Sequence, residues 1–139
     1  MAQIRHIALR CRDAEKTRAF YELLGMRFVA YLPGSTGAMD LSDGTLNVTL
    51  IPYEGEERPV LEEGSEYIHL GVMVKDARET WRRLRDEGAP YLRDDVKLRN
   101  QVSDEEATPP GSFKVADPDG NVIDVTDNRD EWRGVRLDG

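Results

Sequence analysis

His6 and His69 are the only two histidines in a chain of 139 residues, and they lie 63 positions apart (69 minus 6). The sequence around them repeats at the same interval: Asp13 falls on Asp76, Ala14 on Ala77, Thr17 on Thr80 and Gly25 on Gly88. The Asp and Gly matches fix that register without the histidines, so the equivalence of His6 and His69 belongs to a repeated unit. Equivalent side chains on the inner faces of two repeated strands can converge about a pseudo-twofold axis. Two imidazoles that meet there need a shared partner, and a divalent metal is the common one. A metal on neutral imidazoles recruits an oxygen ligand, for which Asp124 is the candidate. It stands between Ile123 and Val125, where a carboxylate is costly unless a cation compensates it. Two histidines and one carboxylate with open positions is the arrangement of non-haem Fe(II) enzymes. Hydrogen-bonded structural histidines and an exposed aspartate on an edge strand are the competing readings.

The elements that must position these groups follow from periodicity and turn chemistry. Residues 3–11 alternate as a strand, with Ile4, His6, Ala8 and Arg10 on one face and Ile7, Leu9 and Cys11 on the other. Asp13 reads as an N-cap and Gly25 as the residue past the end of a helix over 14–24. Strands follow at 27–32, 38–41 and 46–51, punctuated by Pro33-Gly34 and Asp43-Gly44. After a polar connector at 53–65 the pattern restarts. A strand over 67–74 puts Tyr67, His69, Gly71 and Met73 on one face and Ile68, Leu70, Val72 and Val74 on the other. Asp76 with Glu79 has capping-box spacing, and Ala77, Trp81 and Leu84 make an apolar helical stripe ending at Gly88. Further strands are expected near Tyr91, at 112–115 and at 121–126. The two Asp-Gly turns lie 76 apart (120 minus 44), so the second copy carries 13 extra residues (76 minus 63), assigned to a polar loop over 93–111. Such a loop serves as a lid or is a tolerated insertion. Ala8 and Gly71 leave room beside the two imidazoles.

This length suits one domain made of two modules, about 3–52 and 66–126, with a polar tail at 127–139. No apolar run approaches the roughly 20 residues of a membrane span. A net charge of -8 repels phosphate backbones, and Arg82, Arg83 and Arg85 are interleaved with acids, so nucleic acid is not an expected partner. The N-terminus shows no secretion signal, which makes the cytoplasm the expected location. Cys11 is the single cysteine, which excludes an internal disulfide and a multi-thiolate metal site; it reads as a small buried apolar side chain.

Three segments, HIALRCRDAEKTRAFYELLGMRF, IHLGVMVKDARETWRRLRDEGAP and DPDGNVID, resemble the vicinal oxygen chelate superfamily over roughly residues 3–126. This group contains glyoxalase I, fosfomycin-resistance and bleomycin-resistance proteins and extradiol dioxygenases. The resemblance implies an α+β fold of two pseudo-symmetric β-α-β-β-β modules, whose curved mixed sheet cups a metal, in a homodimer. It carries His6 onto the first-strand ligand, His69 onto its counterpart in the second module, and Asp124 onto a position where the family most often has Glu. The fourth ligand position falls on Val48 or Thr49, and neither ligates well. With no carboxylate expected in the first module, four-ligand isomerases and epimerases with a Glu base are disfavoured.

The reading is therefore an enzyme whose divalent metal, Fe(II) or Mn(II) before Zn, Ni or Co, chelates vicinal oxygens of a small-molecule substrate, with dioxygenase chemistry fitting best. Arg10 could pair with a substrate anion, and Tyr67 and Met73 would flank the pocket. A metal-free protein that sequesters small molecules and a thiol transferase or glyoxalase-type lyase on the same site are the alternatives.

Overall fold

The computed structural model describes residues 2–62, 64–88 and 112–135. The strand expected near Tyr91, the loop expected at 93–111 and the end of the tail lie outside the described residues. The order of elements is β1 (His6–Cys11), α1 (Ala14–Leu23), β2 (Arg27–Tyr31), β3 (Met39–Ser42), β4 (Asn47–Pro52), β5 (Leu70–Met73), α2 (Ala77–Asp86), β6 (Ser112–Ala116) and β7 (Val122–Thr126). The chain forms two compact units, Met1–Val60 with Asp117–Asp119 and Leu61–Ala116 with Gly120–Gly139. No helix among the described residues is long and apolar enough to cross a membrane.

The first unit holds a mixed sheet in the order β1-β4-β3-β2, with β1 and β4 parallel and the remaining pairs antiparallel. The second holds β5-β7-β6, with β5 and β7 parallel and β6 antiparallel to β7. Both helices start where the repeat predicts. Asp13 accepts hydrogen bonds from the amides of Glu15 and Lys16, and Asp76 accepts one from Glu79, so each carboxylate satisfies amides that the first helical turn leaves open. Gly25 and Gly88 follow the helices at φ 101° and 76°, a left-handed conformation that glycine adopts without a Cβ clash.

The strands that open each half are shorter than their alternation suggests. β1 starts at His6 because its ladder partner β4 starts at Asn47, and β5 starts at Leu70 because β7 begins only after the Gly120 turn. Ile4, Tyr67 and Ile68 therefore stand outside the ladders and are exposed, so Ile68 does not join the apolar face.

Each core is the apolar side of a sheet together with the buried stripe of a helix. In the second unit Phe113, Val115, Ile123 and Val125 are fully buried, as are Ala77, Trp81 and Leu84 of α2. In the first, α1 buries Ala14, Thr17, Phe20 and Tyr21. Over this helix lies the Asp117-Pro118-Asp119 turn. The Tyr21 hydroxyl donates to Asp117 Oδ2 at 2.7 Å, Thr17 Oγ1 donates to Asp119 Oδ2 at 2.9 Å, and the Arg12 amide donates to Asp119 Oδ1 at 2.9 Å. The Arg12 guanidinium also reaches Glu57 at 2.7 Å.

Cys11 is buried as expected, and burial followed by the charge of Asp119 holds its thiol up to about 11. Burial and Asp117 likewise hold the Tyr21 hydroxyl well above its usual value. In the unfolded chain a thiol ionises near pH ~8.5, so above that the unfolded state loses a proton that the folded state keeps. Stability contributed by Cys11 is complete below about pH 8.5 and falls as pH rises toward 11, by about 3 kcal/mol. Urea melts at pH 7.5 and pH 10.5 should show this loss, and Cys11→Ala should reduce it to the part that Tyr21 contributes. An equal alkaline loss in the variant would assign the effect elsewhere.

Candidate metal and substrate site

In the second unit β5 and β7 pair Gly71 with Asp124, and β6 pairs Lys114 with the same Asp124. Alternation then puts Gly71, Met73, Asp124, Thr126 and Lys114 on one face, opposite the apolar side that forms the core. His69 stands one residue before β5 and turns onto this face. Its Nε2 lies 3.4 Å from Asp124 Oδ2, and its Nδ1 lies 3.3 Å from Glu66 Oε1. The Glu66 carboxyl is held below its usual range by its own backbone N–H first, and also by the Gly64 amide and His69. Being ionised it only accepts, so in the Nδ1–H tautomer the imidazole donates to it.

That tautomer turns the Nε2 lone pair toward Asp124. A lone pair and a carboxylate oxygen repel at this distance unless a cation lies between them, either a second proton on the imidazole or a metal ion. The two atoms face each other closely enough for one divalent ion to take a lone pair from each. Asp124 is 7% exposed and Lys114 is 3% exposed. The compensating positive charge that a carboxylate in this strand requires is available from Lys114, its ladder partner. Among the described residues no group of three or more His, Cys, Asp and Glu side chains is gathered to hold a metal; in the second unit His69 and Asp124, two of the residues the sequence singles out, lie side by side.

The room expected beside His69 at Gly71 is filled. Trp132, from the segment after β7, lays its ring so close to Gly71 that a Cβ there would meet the indole at 2.5 Å. The tail is turned back by hydrogen bonds from the Asn128 amide to Thr126 Oγ1 and from the Asp130 amide to Asn128 Oδ1. Gly71 is therefore the seat of an aromatic wall, not part of an empty pocket. Gly71→Ala should unseat the ring. Trp132 emission is expected to move to the red with a loss of about 1–3 kcal/mol from overpacking, while Trp81, buried in the core, keeps its emission. Unchanged emission in Gly71→Ala would remove Trp132 from this face. Met73 is half-buried on the same face, whereas Tyr67 is 83% exposed and outside the ladder.

In the first unit His6 pairs with Asn47, Ala8 with Thr49 and Arg10 with Ile51. His6 Nδ1 lies 2.6 Å from Asn47 Oδ1, an acceptor that keeps the proton on Nδ1 and leaves Nε2 as the free donor atom. Arg10 is exposed on this face, and Val48 is buried on the other. Thr49 shares the His6 face, and its hydroxyl donates to Asp40 Oδ1 at 2.7 Å. Asp40 places a carboxylate on this face, across from Thr49 in the β3–β4 hairpin. Counting along β4 alone misses it. The Asp43-Gly44 turn carries the signal, because a hairpin that pairs Ser42 with Asn47 must pair Asp40 with Thr49.

The sequence pattern of the Glyoxalase/Bleomycin resistance protein/Dioxygenase superfamily matches residues 3–125. The chain belongs to this superfamily. Within it, the chain is 25% identical over 125 residues to the glyoxalase domain-containing protein RDO1 of Mycosarcoma maydis, covering 90% of this chain and 68% of that protein. The superfamily fold recurs in the fosfomycin resistance protein FosX of Listeria monocytogenes, with a TM-score of 0.66 at 15% identity over 91% of each chain. It recurs also in the bleomycin resistance determinant encoded on transposon Tn5, with a TM-score of 0.55 at 21% identity over 92% of this chain and 99% of that one.

Proposed function

We propose that this superfamily member is a metal-dependent enzyme that holds a small substrate through vicinal oxygens, with His6, His69 and Asp124 as ligands to Fe(II) or Mn(II), and that its chemistry is of the dioxygenase type. The observation that carries the reading is the 3.4 Å approach of His69 Nε2 to Asp124 Oδ2 with a proton acceptor behind Nδ1. His6 supports it, since Asn47 holds its Nδ1 in the same way. An acceptor behind the ligating imidazole fixes the tautomer and raises its basicity, as is usual at metal centres.

When bound, the ion would supply open positions for two substrate oxygens and a redox centre. This chain's residues do the rest. Glu66 and Asn47 orient the imidazoles, Trp132 walls the second face beside Asp124, and Met73 shares that face. Arg10 is the candidate partner of a substrate anion on the first.

A second reading, a glyoxalase-type lyase or thiol transferase, is favoured by Asp40. A carboxylate on the His6 face could serve as a base or as a fourth oxygen donor, though it now accepts from Thr49. The test is anaerobic loading with Fe(II), then oxygen uptake over a panel of catechols against thiol loss with epoxides and 2-oxoaldehydes. One equivalent of tightly held Fe(II) with catechol-dependent uptake supports the dioxygenase. Thiol loss with Ni(II) or Co(II) and no uptake supports the lyase or transferase. A protein that retains no divalent ion refutes both.

A further inference from the structure

Lys114 and Asp124 occupy directly paired positions of the antiparallel β6–β7 ladder, so their side chains leave the sheet on the same face with Cβ atoms about 5 Å apart. Flanking Phe113 and Val115 are buried on the apolar side, which gives the lysine no other face to take. Both paired residues are almost wholly buried. A buried ammonium is tolerated beside an anion, and a buried carboxylate beside a cation. On its other side Asp124 reaches His69. This one carboxylate therefore stands between two places for positive charge. One is a covalently attached ammonium, and the other is the lone pair of an imidazole.

We propose that Lys114 is the internal counter-ion of Asp124 and that it becomes the recognition group for an oxyanion of the substrate once a divalent ion has taken the carboxylate. The inference rests on the metal-site reading above and names the ligand class for that site: a small molecule carrying a carboxylate or similarly charged oxygen. Asp124 and Lys114 together carry no net charge. An anionic ligand arriving at that pair meets a carboxylate already matched to its cation. With a divalent ion added, the same group carries two positive charges and admits an anion. The metal and the oxyanion then bind with positive coupling, each tightening the other by the same factor. Lys114 also competes with the metal for Asp124, so removing its charge tightens the metal while weakening the anion. A residue with a purely structural role does not produce those opposite signs.

The experiment titrates Co(II), followed by visible absorption and calorimetry, into wild type, Lys114→Met and Lys114→Arg. Benzoate and its neutral analogue benzamide are then titrated into the Co(II)-loaded proteins. Methionine keeps length and apolar bulk, and a circular dichroism melt checks that each variant is folded. Lys114→Met is expected to bind Co(II) about tenfold more tightly than wild type and, once loaded, benzoate about tenfold more weakly. Benzamide binding should be unaffected, and Lys114→Arg should stay near wild type. Equal Co(II) and benzoate affinities in folded wild type and Lys114→Met overturn the inference and leave the metal reading standing. Co(II) binding by Lys114→Met alone would leave wild type without a metal and overturns the inference. No Co(II) binding by any of the three overturns the metal reading, and this inference with it.

Discussion

Replacing Asp117 with alanine is expected to destabilise the protein by about 3 kcal/mol, among the largest effects of any single change away from the candidate site. Asp117 is 2% exposed and accepts the Tyr21 hydroxyl at 2.7 Å, and its Oδ1 also accepts the Asp119 amide that shapes the turn. Truncation leaves a buried phenol without its acceptor, which costs a desolvated donor as well as a hydrogen bond. Tyr21→Phe removes the donor instead and should cost about 1–2 kcal/mol, because a hydrogen bond to a charged group is lost but no orphan proton is created. Urea denaturation of the two single variants and the double variant measures the coupling. If the double variant is destabilised by the sum of the two single losses, the pair does not act as a unit.

His69→Ala should weaken Fe(II) or Mn(II) binding by more than 100-fold, beyond the 10–100-fold that loss of an outer hydrogen-bond partner usually costs. The alanine deletes the ring nitrogen 3.4 Å from Asp124 Oδ2 while leaving the strand pairing of β5 in place, since His69 precedes the ladder. Stability without metal should therefore change little. Glu66→Gln keeps an acceptor behind Nδ1 and should fall between wild type and His69→Ala. Metal retained after gel filtration, set beside the thermal melt of each apo variant, reads both effects. Wild-type retention by His69→Ala would remove this histidine from the ligand set.

Much of this was readable from the chain. The helix starts at Asp13 and Asp76 are local devices, a side chain bonding amides two or three positions away, and local chemistry is visible in sequence. Asp124 was visible for a different reason: a carboxylate between Ile123 and Val125 raises a charge problem that something must solve. Lys114 between Phe113 and Val115 poses the same problem with the opposite sign, and alternation alone could have placed it on the face of Asp124. Asp40 needed the hairpin register, which the Asp-Gly turn encodes. Trp132 is the element that sequence could not place. A tail reaches its seat by long-range packing, and the glycine that receives it shows only as an absent side chain.

The Asp117-Pro118-Asp119 turn has one more consequence. By sequence it belongs to the second copy of the repeat, yet it packs with the first unit, on α1. What was duplicated and what folds together are thus different sets of residues. A first half expressed alone would leave Tyr21, Thr17 and the Arg12 amide without the carboxylates that complete them, and a short peptide carrying that turn, supplied separately, is the natural reagent to restore them.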